Sequence, residues 1–218
     1  MITLERQVSY DAIICLNGDL PPAERFDAWA SVPLVAADGA ANALMRMGIV
    51  PEYVVGDLDS IADETLELLA DVSTVIPMPE QDVNDFEKAL TVAQHQLFER
   101  LLVVGMHGGD LEHTLNNWSV LMRFGRSLSV HVLDRQRLAV PVYGSVRFAT
   151  TQREIISLVP QPSVRLTTSG LQWPLTNEVL EMGQREGARN QATTTEVTLD
   201  LHEGAVLVVF DAECPPAA

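Results

Sequence analysis

Cysteine is scarce: two residues, Cys15 and Cys214, in a chain of 218. One lies in an apolar run and the other in the tail. That excludes a disulfide framework and any paired-cysteine metal site, and makes the cytoplasm the expected compartment. Positive charge is also scarce: 14 Lys and Arg against 30 Asp and Glu give a net charge of −16. Such a surface repels nucleic acid and anionic membranes, so neither is expected as a partner. It repels nucleotide phosphates too, so a phosphate site here needs bound cations or a local basic spot. Long apolar runs are missing as well. The opening stretch MITLERQVSYDAIICLNGD carries charges at positions 5, 6 and 11, and reads as neither a signal peptide nor a transmembrane helix. No internal repeat is visible, and no low-complexity segment beyond the short CPPAA tail.

What remains is the composition of a globular protein, 47% hydrophobic, long enough for one large domain or two small ones. In the first two-thirds, short apolar runs alternate with amphipathic stretches. Strands are predicted at 12–16, 34–37, 53–55, 73–76, 101–104 and 129–133. Helices are predicted at 21–30, 40–47, 62–69, 85–98 and 111–124. In the fourth of these helices, Phe86, Leu90, Ala93 and Leu97 fall on one face. Continuous apolar strands separated by helices imply a parallel sheet covered on both faces, with ligands beyond the carboxyl ends of its strands. After about residue 136 the pattern turns β-branched and turn-rich, with no helical period. The segment TTTEVTLDLHEGAVLVVF reads as two strands around a hairpin at His202–Gly204. The expectation is an α/β domain with a mainly parallel, Rossmann-like sheet over 1–136, then an all-β sandwich domain over 137–218.

The polar clusters of the first part each follow a predicted strand: Asp38 and Gly39; Asp57 and Asp59; Gln81, Asp82 and Asp85; and Gly108–His113. Carboxylates gathered at one sheet edge repel one another unless cations intervene, and hard oxygen ligands suit Mg²⁺ joined to substrate phosphates. Other readings stay open. Asp38 could cap the helix at Ala40, and Asp59 or Ser60 the next helix. Asn84 and Glu87 form a capping-box variant, which leaves Asp82 unexplained. Two glycines entering a helix N-terminus make an anion site or a plain loop.

Taken in order, NGDLP (17–21), AADGAANAL (36–44), PEYVVGDLDSI (51–61), QDVNDFEKAL (81–90), GMHGGDLEHTLNN (105–117) and SGLQWPL (169–175) resemble the thiamine pyrophosphokinase family. The resemblance implies transfer of pyrophosphate from ATP to the hydroxyl of thiamine, giving AMP and thiamine diphosphate, with Mg²⁺ and in a homodimer. It implies a catalytic set of Asp38, Asp57, Asp59, Asp82 and Asp85, with Asp57, Asp59 and Asp85 as metal ligands. Asn17, Gly108, Gly109 and His113 would lie on the nucleotide side, and Trp173 and Asn190 on the thiamine side. From the residues alone, Trp173 could equally be core and Asn190 a turn residue. The chain departs from the family where "GGR", an apolar residue and "DH" are usual: here stands GGDLEH, with Asp110 in place of a cation. That change favours an alternative, a catalytically weakened relative that binds nucleotide or thiamine compounds as a sensor or partner module. Arg135 and Arg137 are candidate replacement cations, or simply linker charges.

Overall fold

The computed structural model describes residues 1–6 and 8–212; Cys214 and the tail lie outside them. In chain order the elements are β1 (Ile2–Thr3), β2 (Ala12–Cys15), α1 (Ala23–Phe26), β3 (Leu34–Ala37), α2 (Ala40–Arg46), β4 (Tyr53–Gly56), α3 (Asp63–Leu69), β5 (Thr74–Pro77), α4 (Asp85–His95), β6 (Arg100–Val104), α5 (Leu111–Phe124) and β7 (Ser129–Asp134). Then follow β8 (Arg137–Val142), β9 (Val146–Ala149), β10 (Ile155–Ser169), β11 (Glu178–Glu181), β12 (Gly187–Gln191) and β13 (Glu196–Asp211). Two compact units result. One is Ser9–Arg135; the other joins Met1–Val8 to the chain from Gln136. The first eight residues thus depart from the domain expected over 1–136. The reason is local: β1 pairs with β9, and Arg6 donates to Glu154 and lies over the Phe210 ring.

In the α/β unit, six strands run parallel in the order β7-β6-β2-β3-β4-β5. Strands β2 and β3 are buried along their whole length, as their uninterrupted apolar sequence requires. The chain winds outward from β2 through β5, returns to β6 on the other side of β2, and continues to β7. Strand order therefore reverses between β2 and β6, and the loops after these two strands open at the reversal point, where ligands of such sheets bind.

Two helices are shorter than the sequence predicts. The stretch 21–30 holds only α1 and a 3₁₀ turn over Asp27–Trp29. The tighter turn brings Phe26 and Trp29 edge to face at 5.4 Å, both buried. Helix α4 ends at His95, with Leu97 at φ +61 and 84% exposed, so Leu97 is not on the buried face with Phe86, Leu90 and Ala93. The Phe98 N–H returns to the Ala93 carbonyl at 2.9 Å, closing the helix end and setting Phe98 against Tyr53.

The β unit is antiparallel apart from the β1–β9 pair. Strand β10 pairs with β13 on one edge and with β11 and β12 on the other; β13 also pairs with β9 and β8. The hairpin expected at His202–Gly204 is absent: β13 is one strand of 16 residues. Gly204, at φ +82, marks a bulge where β13 passes Ser163 so closely that a side chain would strike its carbonyl.

Candidate active site and family

Three carboxylates meet past the carboxyl ends of β3 and β4. Asp38, Asp57 and Asp59 each offer one oxygen, and these oxygens all lie within 4.8 Å of one another. Asp38 is placed by backbone constraints. Its φ is +44, its N–H donates to the Val55 carbonyl at 2.8 Å, and Gly56 stays bare because a Cβ there would approach the Asp38 Cβ at 2.8 Å. It does not cap α2: the helix opens at Gly39 with no side-chain cap. Nor do Asp59 and Ser60 cap α3, whose N-cap residue is Ala62. The Ser60 hydroxyl donates to Asp59 Oδ1 at 3.0 Å. Asn42, on α2, pins this loop by donating to the Ser60 carbonyl at 2.7 Å and accepting from the Ala62 N–H at 3.0 Å.

The electrostatics separate the three groups. Asp38 is only 3% exposed, and its Oδ1 is buried with no hydrogen-bond partner. Burial raises its pKa, and the charges of Asp85 and Asp57 raise it further, against the Ser60 hydroxyl and the Gly39 amide. For Asp57, partial burial acts upward but is outweighed by the Gln81 amide, the Asp59 N–H and the Lys88 ammonium, so its pKa falls. An orphaned buried carboxylate oxygen beside two further carboxylates is costly by itself. It fits a hard divalent cation, whose ligands are oxygens of this kind.

Asp85 stands apart from the trio. Its Oδ1 accepts from Lys88 Nζ at 3.0 Å, and the same ammonium reaches Asp57 Oδ2 at 3.5 Å. For Lys88, burial acts downward on the pKa, but Asp85 and then Asp57 outweigh it and hold the pKa above the ordinary lysine value. Asp82 is exposed on the turn before α4 and joins no carboxylate cluster among the described residues. Asn84 caps α4 as its spacing suggested, accepting from the Glu87 N–H at 2.9 Å, and also donates to Asn117 on α5 at 2.8 Å.

Next to the trio is a cavity of about 320 Å³ whose lining includes Asn17, Asp38, Asp85, Gly109, Asp110 and His113. No Lys or Arg is among the described residues that line it. Gly108 has φ +97, and the space where its Cβ would stand is filled by the Asp19 carboxylate, so this glycine is fixed by the loop after β2. Gly109 is the one of the pair that lines the cavity. The loop is anchored at its start. Trp118 Nε1 donates to His107 Nε2 at 3.2 Å, which leaves the ring proton on Nδ1, facing Asp134 at 3.3 Å.

In the β unit, Trp173 is 59% exposed and not a core residue. Its backbone is held from both sides by Asn190 of β12. The Trp173 N–H donates to Asn190 Oδ1 at 3.1 Å, and Asn190 Nδ2 donates to the Trp173 carbonyl at 2.8 Å. Asn190 is buried inside a strand and is no turn residue; it fixes the main chain from which an aromatic ring projects.

Two family models match the chain: the thiamin pyrophosphokinase catalytic domain over residues 27–133, and the thiamin pyrophosphokinase vitamin B1 binding domain over residues 145–206. Thiamin pyrophosphokinase 1 of Caenorhabditis elegans is 31% identical over 182 residues, covering 76% of this chain and 73% of the relative. The chain belongs to the thiamin pyrophosphokinase family. Solved structures agree in fold. The Bacillus subtilis thiamine pyrophosphokinase has a TM-score of 0.77 at 20% identity, covering 93% of this chain and 99% of that one. The yeast thiamin pyrophosphokinase has a TM-score of 0.79 at 18% identity, covering 94% and 87%.

Within this member of the thiamin pyrophosphokinase family, three residues show what the sequence patterns did and did not carry. Asn42 lies within the AADGAANAL segment, but its role is not readable there, because its contacts lie 18 and 20 residues away. Lys88 was readable from composition: it is the only lysine in the sequence, every other basic side chain being arginine or histidine. Arg137 is not a spare cation for phosphate, since it is bound to Asp211 and to the carbonyls of Ile155 and Val209.

Proposed function

We infer that this chain transfers the pyrophosphoryl group of ATP to the hydroxyl of thiamine, releasing AMP and thiamine diphosphate. The observation that carries this reading is the presence of both family domains on one chain, over 27–133 and 145–206. The carboxylate trio stands in the first of them. With this reading come ATP and thiamine as substrates, Mg²⁺ as cofactor, a homodimer and a cytoplasmic place of action. No helix among the described residues is long and apolar enough to cross a membrane.

The thiamine hydroxyl attacks the β-phosphorus of ATP: an O–P bond forms there, and the bond to the bridging oxygen of AMP breaks. Catalysis of such a step rests on positioning and charge neutralisation. Asp38, Asp57 and Asp59 would hold Mg²⁺, which when bound neutralises triphosphate charge and orients its oxygens. Asp57, whose pKa is lowered by the Gln81 amide, the Asp59 N–H and the Lys88 ammonium, brings negative charge to the site. The unpaired Asp38 Oδ1 is the oxygen with no other commitment, available to a cation or to a hydroxyl hydrogen. Gly109 presents backbone to the cavity just before the N-terminus of α5, where N–H groups favour phosphate. Trp173 offers an aromatic face for thiamine rings, on a main chain fixed by Asn190. The weakened-relative reading rests on GGDLEH, with Asp110 in place of a cation and Glu112 in place of aspartate, and that change leaves the trio untouched.

The test is AMP release from Mg·ATP with and without thiamine. AMP formed only with thiamine, in step with thiamine diphosphate, is the expected result. AMP formed without an acceptor, or none at all, would refute the assignment.

A further inference from the structure

The cation at the acidic site is the least expected of its side chains. Lys88 is 2% exposed on α4, among the buried Phe86, Ala89 and Leu90. Burying an ammonium is costly, and replacing both members of a buried ion pair by well-packed apolar residues often leaves stability unchanged. A helix that needed only a filled core would therefore carry leucine or methionine at this position. The chain also uses arginine thirteen times and lysine once, at 88. Arginine is a planar fork on a long stem; lysine is a compact point charge that can serve two carboxylates from within a packed face.

What the ammonium holds is specific. Lys88 Nζ lies 3.0 Å from Asp85 Oδ1 and 3.5 Å from Asp57 Oδ2. Gln81 Nε2 donates to the same Asp57 oxygen at 2.7 Å. Asp57 Oδ1 is left with no side-chain donor, only a long contact to the Asp59 N–H at 3.5 Å. The helix that carries the lysine is fixed in turn. Asn84 caps it, and Glu87 accepts from the two terminal guanidinium nitrogens of Arg123 on α5, at 3.0 and 2.6 Å.

We propose that Lys88 is a positioning residue: its buried ammonium clamps one oxygen of Asp57 together with Asp85, and so presents the other Asp57 oxygen to the divalent cation held with Asp38 and Asp59. The proposal deepens the phosphotransfer reading and rests on it. It assigns the clamp to charge and geometry, not to packing.

Because the lysine is single, labelling the protein with lysine enriched in ¹⁵N at Nζ gives one side-chain signal. Titration with Mn²⁺, without nucleotide, is expected to broaden that signal at substoichiometric ion. Lys88→Met, which keeps the stem and loses the charge, is expected to stay folded with a lowered Tm, because Asp57 and Asp85 lose their shared cation. It should bind Mn²⁺ about 10-fold more weakly and lose about 100-fold in kcat, with KM for thiamine unchanged. A Lys88 signal untouched by Mn²⁺ overturns the proposal. So does a Lys88→Met protein with wild-type Mn²⁺ affinity and kcat. If Lys88→Met and Lys88→Gln both fail to fold, the lysine is a structural element and the proposal falls as well. Wild-type protein that makes no thiamine diphosphate, yet shows the Mn²⁺ broadening and its 10-fold weakening in Lys88→Met, would end the activity assignment while leaving the clamp standing.

Discussion

At the scale of the residue, Asp38 carries an electrostatic cost within the fold. Its Oδ1 is buried and unpaired, and its pKa is pushed up by burial and by neighbouring carboxylates. A group whose folded pKa lies above its unfolded value binds protons more readily in the native state. Ionised Asp38 therefore costs stability at neutral pH, and the cost disappears as pH falls below the unfolded value. Asp38→Asn removes the charge with little change of shape. It should raise stability of the metal-free protein by about 1 kcal/mol, a Tm increase of roughly 2–4 °C. Mg²⁺ should then stabilise the wild type in thermal melts but not the variant, and turnover should vanish. A lower Tm in the metal-free variant would show that the carboxylate is better accommodated than its missing partner suggests. Asp110 is the second residue to change. It lines a cavity with no Lys or Arg among its described lining. Asp110→Arg restores a cation at the start of α5, and a charge-assisted bond to phosphate contributes about 1.5–3 kcal/mol, so the Kd for ATP should fall at least about 10-fold. Calorimetric titration at fixed Mg²⁺ measures it; an unchanged Kd would place position 110 away from the phosphates.

At the scale of the element, what could be read from the chain follows from where each signal lies. Strands such as Ala12–Cys15 and Leu34–Ala37 announce themselves because a parallel strand covered on both faces must be apolar throughout. Asn84 is legible because a cap acts three residues away. The same local logic fails wherever a distant partner decides. His202–Gly204 carries hairpin chemistry, but β10 offers a continuous edge, so the glycine serves a bulge and β13 runs on. Leu97 keeps the helical spacing, yet Phe98 is drawn onto Tyr53 and the helix closes first. Asp82 shares its motif with Asp85 but faces solvent, while Asp38 completes the trio from another loop. Asn190 looks like any polar residue in sequence, and its meaning appears only across 17 residues, at Trp173. This pair yields a prediction with two readouts. Trp173→Ala removes an exposed ring, so Tm should hold within about 1 °C, surface changes being nearly neutral. If the ring meets thiamine, KM for thiamine should rise about 10-fold, since aromatic contact with a cation contributes on the order of 1–2 kcal/mol. Asn190→Ala strips both hydrogen bonds from the Trp173 main chain and leaves buried groups unpaired. It should lower Tm by several degrees and raise the same KM. The double variant should raise KM no more than Trp173→Ala alone, because Asn190 acts through the tryptophan. Additive effects in steady-state assays would give Asn190 a contact of its own.

At the scale of the whole molecule, the charge of −16 acts on the two substrates in opposite directions. Mg·ATP carries net negative charge and thiamine a positive one, so the long-range field slows the approach of the first and speeds that of the second. These effects reach only as far as salt allows: the screening length falls from about 30 Å at 0.01 M to about 8 Å at 0.15 M. The trio and Lys88 act at contact distance and are screened far less, so ionic strength separates the global field from the local site. Raising salt across that range should increase kcat/KM for Mg·ATP by about 3- to 10-fold and decrease it modestly for thiamine, with kcat nearly constant, because steering changes encounter and not chemistry. Stopped-flow or steady-state measurement at fixed Mg²⁺, with an inert salt such as KCl, resolves the two slopes. If kcat/KM for Mg·ATP instead fell with salt, the cavity would hold a net attractive potential for phosphate despite Asp38, Asp85 and Asp110. The bound cation would then more than reverse the field of the chain around it.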